Sequence, residues 1–172
     1  MTQVGHALTG AAFGVLCLPD NASSVRKAAH LAAFMALSLV PDFAIRNWGH
    51  DRYYVSHSLF INLLLIATIV LLLAVLKDLR VKLGGWKVIT GGSLAWLSHL
   101  LLDSFYNHGK GVAIFWPFSK ARLVLPLPWL SVVTHLPPPI TPELIRIFLI
   151  EFATFFPLIM LAILIRRRFV WN

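Results

Sequence analysis

His99 and Asp103 stand four positions apart in a run that is otherwise largely apolar. On a helix that spacing places both side chains on one face, one turn apart, where they can reach a single ion. An ionisable pair within residues 94–105 is costly unless it has partners, and inside a membrane segment such a pair marks a functional site by default. The partners offered elsewhere in the chain are His6, Asp42 and His57, each at the edge of an apolar stretch. Imidazole and carboxylate together, without thiolate, suit zinc, manganese, iron or nickel, and the number of histidines argues against magnesium or calcium. Cys17 is the only cysteine, so neither an intrachain disulfide nor a cysteine-based metal site is expected.

This donor set predicts a divalent metal site of one or two ions, with zinc preferred and manganese as the alternative. A carboxylate not fully engaged with metal, Asp42 or Asp103, could accept a proton from a water nucleophile. Arg52 is the candidate clamp for a phosphate or carboxylate. Ser58 next to His57, His108 five residues after Asp103, and Glu151 are candidates to support the ligands or to bind a second ion. Glu151 lies about two turns into the last apolar stretch, too deep for a rim residue. His30, His50 and His135 are read as packing or interfacial residues, the commoner role of an isolated membrane histidine.

The elements that must position these groups belong to a membrane. Hydrophobic residues make up 58% of the 172-residue chain, against roughly 45–50% in soluble domains, and the mean hydropathy is +0.78. The expected fold is all-α: one polytopic helical bundle over residues 1–172, with about five transmembrane or membrane-embedded helices at residues 6–18, 25–40, 57–77, 86–105 and 143–165. A long outer loop, 106–142, carries Trp116 and Trp129 at interfacial positions. Gly10 and Gly14 are four apart in the short first segment, a pattern that lets helices approach closely.

A net charge of +8 would point a soluble domain toward nucleic acid. Here the basic residues cluster between apolar stretches, at Arg26 and Lys27, at Lys77, Arg80, Lys82 and Lys87, and at Arg166, Arg167 and Arg168, so the charge is read as topology and no direct nucleic-acid contact is expected. With those clusters cytoplasmic, five alternating helices bring His6, Asp42, His57, His99 and Asp103 to the opposite face, the periplasmic one of a multi-pass bacterial-type inner membrane protein. Membrane lipid is then the expected neighbour, and a lipid phosphate the expected substrate.

His6 with Gly10, Val40-Pro41-Asp42, Arg52 before Ser56-His57-Ser58, His99-Leu100-Leu101-Leu102-Asp103 and the segment from Val112 to Phe118 occur in an order that resembles the YdjM-type family of membrane-bound metal-dependent hydrolases. The resemblance covers nearly the whole chain. The order of His, Pro-Asp, His and His-x-x-x-Asp is also similar to that of zinc-dependent phospholipase C and the related single-strand nucleases. These resemblances imply that Asp42, His57, His99 and Asp103 hold one ion and that His6 assists a neighbouring one. They imply a hydrolase that acts on a phosphoester through a metal-activated water. The alternative they leave open is a non-enzymatic inner-membrane interaction protein, with a protein partner and a metal that only staples helices.

Overall fold

The computed structural model describes residues 3–43, 54–105, 111–125, 127–130 and 141–170. Six helices follow one another: α1 (Gln3–Cys17), α2 (Ser24–Leu37), α3 (Leu59–Val75), α4 (Lys77–Leu83), α5 (Gly85–Ser104) and α6 (Pro142–Val170). Short 3-10 turns at Val40–Asp42 and Tyr54–His57 precede the next elements. The fold is all-α, as expected; among the described residues the extended pairing is limited to one antiparallel bridge between Val112 and Leu123.

α1 is the central helix, packed against α2, α5 and α6. Its small residues make this feasible. A Cβ on Gly10 would fall 2.5 Å from the Phe34 carbonyl oxygen of α2, and one on Gly14 would fall 3.1 Å from side-chain atoms of Leu31 and Phe34. The close approach expected from these two glycines is therefore realised against α2. On α5, Gly91 allows the same approach to Cys17, whose Sγ lies 2.3 Å from the position of the missing Cβ. Ala12 and Val15 of α1 pack with Ala162 of α6, and Cys17 with Phe34 and Ala95.

The helix boundaries follow local chemistry. Ser23 caps α2 by accepting the Arg26 N–H, and Ser58 caps α3 by accepting that of Ile61. The apolar run predicts the third segment as one helix over residues 57–77. Instead the apolar helix stops at Val75, and the charged α4 leaves it at an angle of 109°. Arg80 stabilises the bend by donating to the Ala74 carbonyl and lying 4.8 Å over the Trp86 ring. Gly84 then adopts a φ of 109°, a left-handed conformation suited to glycine, and starts α5.

Among the described residues α6 is the helix long and apolar enough to cross a membrane, and α3 with α4 passes the same test only if the bent pair is counted as one span. At 15 and 14 residues, α1 and α2 are short of the roughly 20 that a full span needs. The outward faces of α3 and α6 expose large apolar side chains, among them Leu64, Leu71, Leu149 and Leu164. Such a surface suits lipid better than water.

The two ends of the bundle differ in chemistry. At one end Arg166 donates to the carbonyls of Val15 and Leu18 and pairs with Asp20, while Arg26 reaches the Lys82 carbonyl. The opposite end gathers the start of α1, the turn after α2, the start of α3 and the end of α5. Part of the long loop laces that end together. Leu59 donates to the Ile114 carbonyl, Ser58 to that of Trp116, and Leu125 and Leu127 to those of Ser104 and Phe105. Val112 and Ala113 are buried in it.

Candidate metal centre

Three separate pieces of backbone deliver the polar side chains at the laced end. His99 and Asp103 lie one turn apart near the end of α5, both buried. His57 ends the 3-10 turn that Ser58 separates from α3. Asp42 ends the turn after α2, where Pro41 opens the 3-10 geometry and the Asp42 N–H returns to the Leu39 carbonyl.

The four side chains converge. His57 Nε2 and His99 Nε2 are 3.3 Å apart. Asp103 Oδ2 lies 3.1 Å from the first and 3.3 Å from the second, and Asp42 Oδ1 lies 3.6 and 3.4 Å from the same two atoms. One ligand atom from each of the four residues falls within 4.8 Å of all the others. Donors arranged tetrahedrally about 2.0–2.1 Å from a zinc ion would be separated by about 3.3–3.4 Å. The five separations among His57, His99 and each carboxylate are close to the edges of that figure, and the Asp42–Asp103 separation is within 4.8 Å.

The outer ring nitrogens explain why these Nε2 atoms face inward. His99 Nδ1 is 2.8 Å from the Ser38 carbonyl oxygen, which can only accept, so Nδ1 carries the hydrogen and Nε2 is left for the centre. His57 Nδ1 is 2.9 Å from Ser56 Oγ. Two imidazole nitrogens and two carboxylates directed at one point require positive charge there, either protons or a cation. Burial by itself lowers the pKa of His57, but hydrogen bonds to the carboxylates of Asp103 and Asp42 outweigh it and hold the group above the ordinary histidine value.

A second layer fixes the first. His6 is fully buried; its Nε2 lies 3.1 Å from Asp103 Oδ1, and its ring stacks on His99 with centroids 3.8 Å apart. His6 thus touches the cluster through Asp103 and His99 and is not one of the four converging residues. Glu151, also buried, accepts the Gly5 N–H at 3.1 Å, anchoring the first turn of α1 beside His6. Ser38 donates to the His6 carbonyl, linking the α1 residue to the carbonyl that orients His99. Ser58 caps α3 and ties it to the Trp116 carbonyl. Arg52 and His108 lie outside the described residues.

Ser38, Ser56 and Asn62 are supporting residues that the sequence reading missed. Asn62 bonds to the carbonyls of Ser56 and Ser58 and accepts from the Trp96 indole N–H at 2.6 Å. Its visible signal was a lone amide in an apolar helix, four residues after Ser58. Ser38 carried a weaker one, since the feature that matters is its backbone carbonyl.

Solvent exposure is uneven. The side chains of His57, His99 and Asp103 are at most 3% exposed, whereas that of Asp42 is 26% exposed, so access from outside is on the Asp42 side. The family model for YdjM inner membrane proteins matches residues 1–169. No curated protein and no solved structure matches the chain.

Proposed function

The chain belongs to the YdjM inner membrane protein family, and from that premise we propose that it is a membrane-embedded metal-dependent hydrolase acting on a phosphoester of a lipid. The observation that carries this reading is the convergence of Asp42, His57, His99 and Asp103 to within 4.8 Å of one another, with the outer ring nitrogens of both histidines already committed. The buried donors fit a divalent transition metal, zinc first and manganese second. When bound, such an ion supplies Lewis-acid polarisation of a phosphoryl oxygen and acidifies a water to a pKa of about 7. His57 and His99 hold the site through fixed ring orientations, and Asp103 is aimed by His6. Asp42, the most open of the four, is the group best placed to release one oxygen and accept a proton from the nucleophile. Arg52, ten residues after Asp42 in the sequence, would hold the anionic headgroup.

The membrane-embedded arrangement rests on the exposed apolar faces of α3 and α6 and on the separation of the basic end from the site end. By the positive-inside rule the basic end is cytoplasmic and the site periplasmic, with the shorter helices packed within a multi-pass bundle. Protein reconstituted with zinc or manganese should hydrolyse at least one member of a panel of phospholipids, lipid phosphates and chromogenic phosphoesters, and Asp42→Asn should abolish that turnover. No turnover across the panel by metal-loaded protein would reject the hydrolase reading.

A second reading has one observation in its favour. Four protein donors close a tetrahedron, and a closed site is characteristic of structural metals. On this reading the chain is a non-enzymatic interaction protein whose ion staples α2, α3 and α5, with a protein partner. Cobalt-substituted protein separates the two: a small anion such as azide perturbs the visible spectrum of an open site and leaves that of a closed one unchanged.

A further inference from the structure

The basic end of the bundle contains a cavity that the metal centre does not use. α2 packs on α1 and α5, and α3 on α4 and α5, and residues of α2 and α3 face each other across one cavity. The space between them has a volume of about 540 Å³, within the roughly 300–1,000 Å³ of small-molecule sites. Its walls are mainly apolar, including Ala33 and Leu37 of α2, Ile69 and Leu73 of α3, and Val88 and Trp96 of α5. At its mouth stand Arg26, Lys82 and Lys87, while Asp20, also there, is paired with Arg166.

We propose that this cleft binds an anionic phospholipid, with one acyl chain between α2 and α3 and the phosphate held by Arg26, Lys82 and Lys87. Length supports the assignment. Lys87 and Trp96 both line the cleft, and nine residues of helix rise about 14 Å, close to the ~15 Å depth of one leaflet's hydrocarbon. Charge supports it too, since a cationic mouth over an apolar shaft matches an anionic headgroup over its tail. The third observation concerns His30, four residues after Arg26 and one helical turn further in. It lines the cleft, and its Nε2 is buried with no hydrogen-bond partner among the described residues. The Gly14 carbonyl accepts from the same ring, so Nε2 is an acceptor, suited to a water at the depth of the lipid's ester groups. Trp96, on the site side of the cleft, lines it with its indole N–H committed to Asn62. A lipid held here has its phosphate at the end remote from the metal centre, so it is a resident ligand and not a substrate. The inference rests on the membrane-embedded reading and is independent of the hydrolase assignment.

The test is native mass spectrometry of the detergent-purified full chain, titrated with phosphatidylglycerol or phosphatidylcholine of identical acyl chains. Phosphatidylglycerol should be retained more tightly. The double variant Arg26→Gln/Lys87→Gln should lose phosphatidylglycerol retention by about fivefold per charge removed and leave phosphatidylcholine unchanged, while Arg26→Lys/Lys87→Arg should keep the preference. Ala33→Trp, which fills the shaft, should reduce retention of both lipids, and Ala33→Leu provides the same test with less added volume. Equal retention of the two lipids by the native chain, or charge and filling variants that both bind like it, would overturn the proposal and identify any bound lipid as nonspecific. Because lipid retention is read without metal or turnover, its failure is distinct from failure of the hydrolase assignment.

Discussion

The Nε2 atoms of His57 and His99 stand 3.3 Å apart although 42 residues separate them in the chain. Each ring has its Nδ1 engaged elsewhere, by Ser56 Oγ for His57 and by the Ser38 carbonyl for His99. Two such nitrogens, with Asp103 and Asp42 on either side, are a preorganised donor set: the rotamers are fixed before any ion arrives, so little ordering cost remains to be met on binding.

His6→Ala should weaken metal binding by about 10–100-fold without abolishing it, the usual effect of removing a group that orients a ligand. His6 acts through Asp103 and through stacking on His99, so the four converging donors persist. Competition with a calibrated chelator measures the affinity. Complete loss of metal would instead make His6 a direct ligand.

Metal affinity should fall as the pH is lowered. The raised pKa of His57 means that the metal-free site holds a proton there at pH values where an ordinary histidine, near 6.5, has lost it. A cation must displace that proton. Below the raised pKa each displaced proton costs about tenfold in affinity per pH unit, and above it the dependence levels off. Isothermal titration in buffers of different ionisation enthalpy checks the sign, since binding should release protons.

Gly10→Val should destabilise the protein by about 1–3 kcal/mol or more, the range for overpacking. Its new Cβ would meet the Phe34 carbonyl oxygen at 2.5 Å and Ser38 Oγ at 2.6 Å. The backbone of α2 would have to move, and with it the Ser38 carbonyl that orients His99. Thermal unfolding in detergent should therefore show a lower midpoint together with weaker metal binding.

The central donor set was legible because its physics is local. A four-residue spacing on a helix, Pro-Asp after an apolar segment, and His-Ser before another each have a readable meaning, and charge clusters placed them at one end. The bend after Val75 was less legible, because a run of apolar residues does not say where its axis turns; Lys77 and Asp78 marked only that it ends. Ser38 carries no such signal, because it orients His99 through a carbonyl that every residue possesses. Glu151 was recognised as buried and inward, yet its contact with the Gly5 N–H depends on how α6 packs on α1, and periodicity does not encode that pairing.

The most direct measurement is the metal content of the detergent-purified chain by inductively coupled plasma mass spectrometry, beside His99→Ala and Asp103→Ala. The account predicts near-stoichiometric zinc, or manganese in its place, in the native chain and loss of the ion from both variants. A native chain that holds no transition metal, and takes up none when zinc or manganese is added, would contradict it.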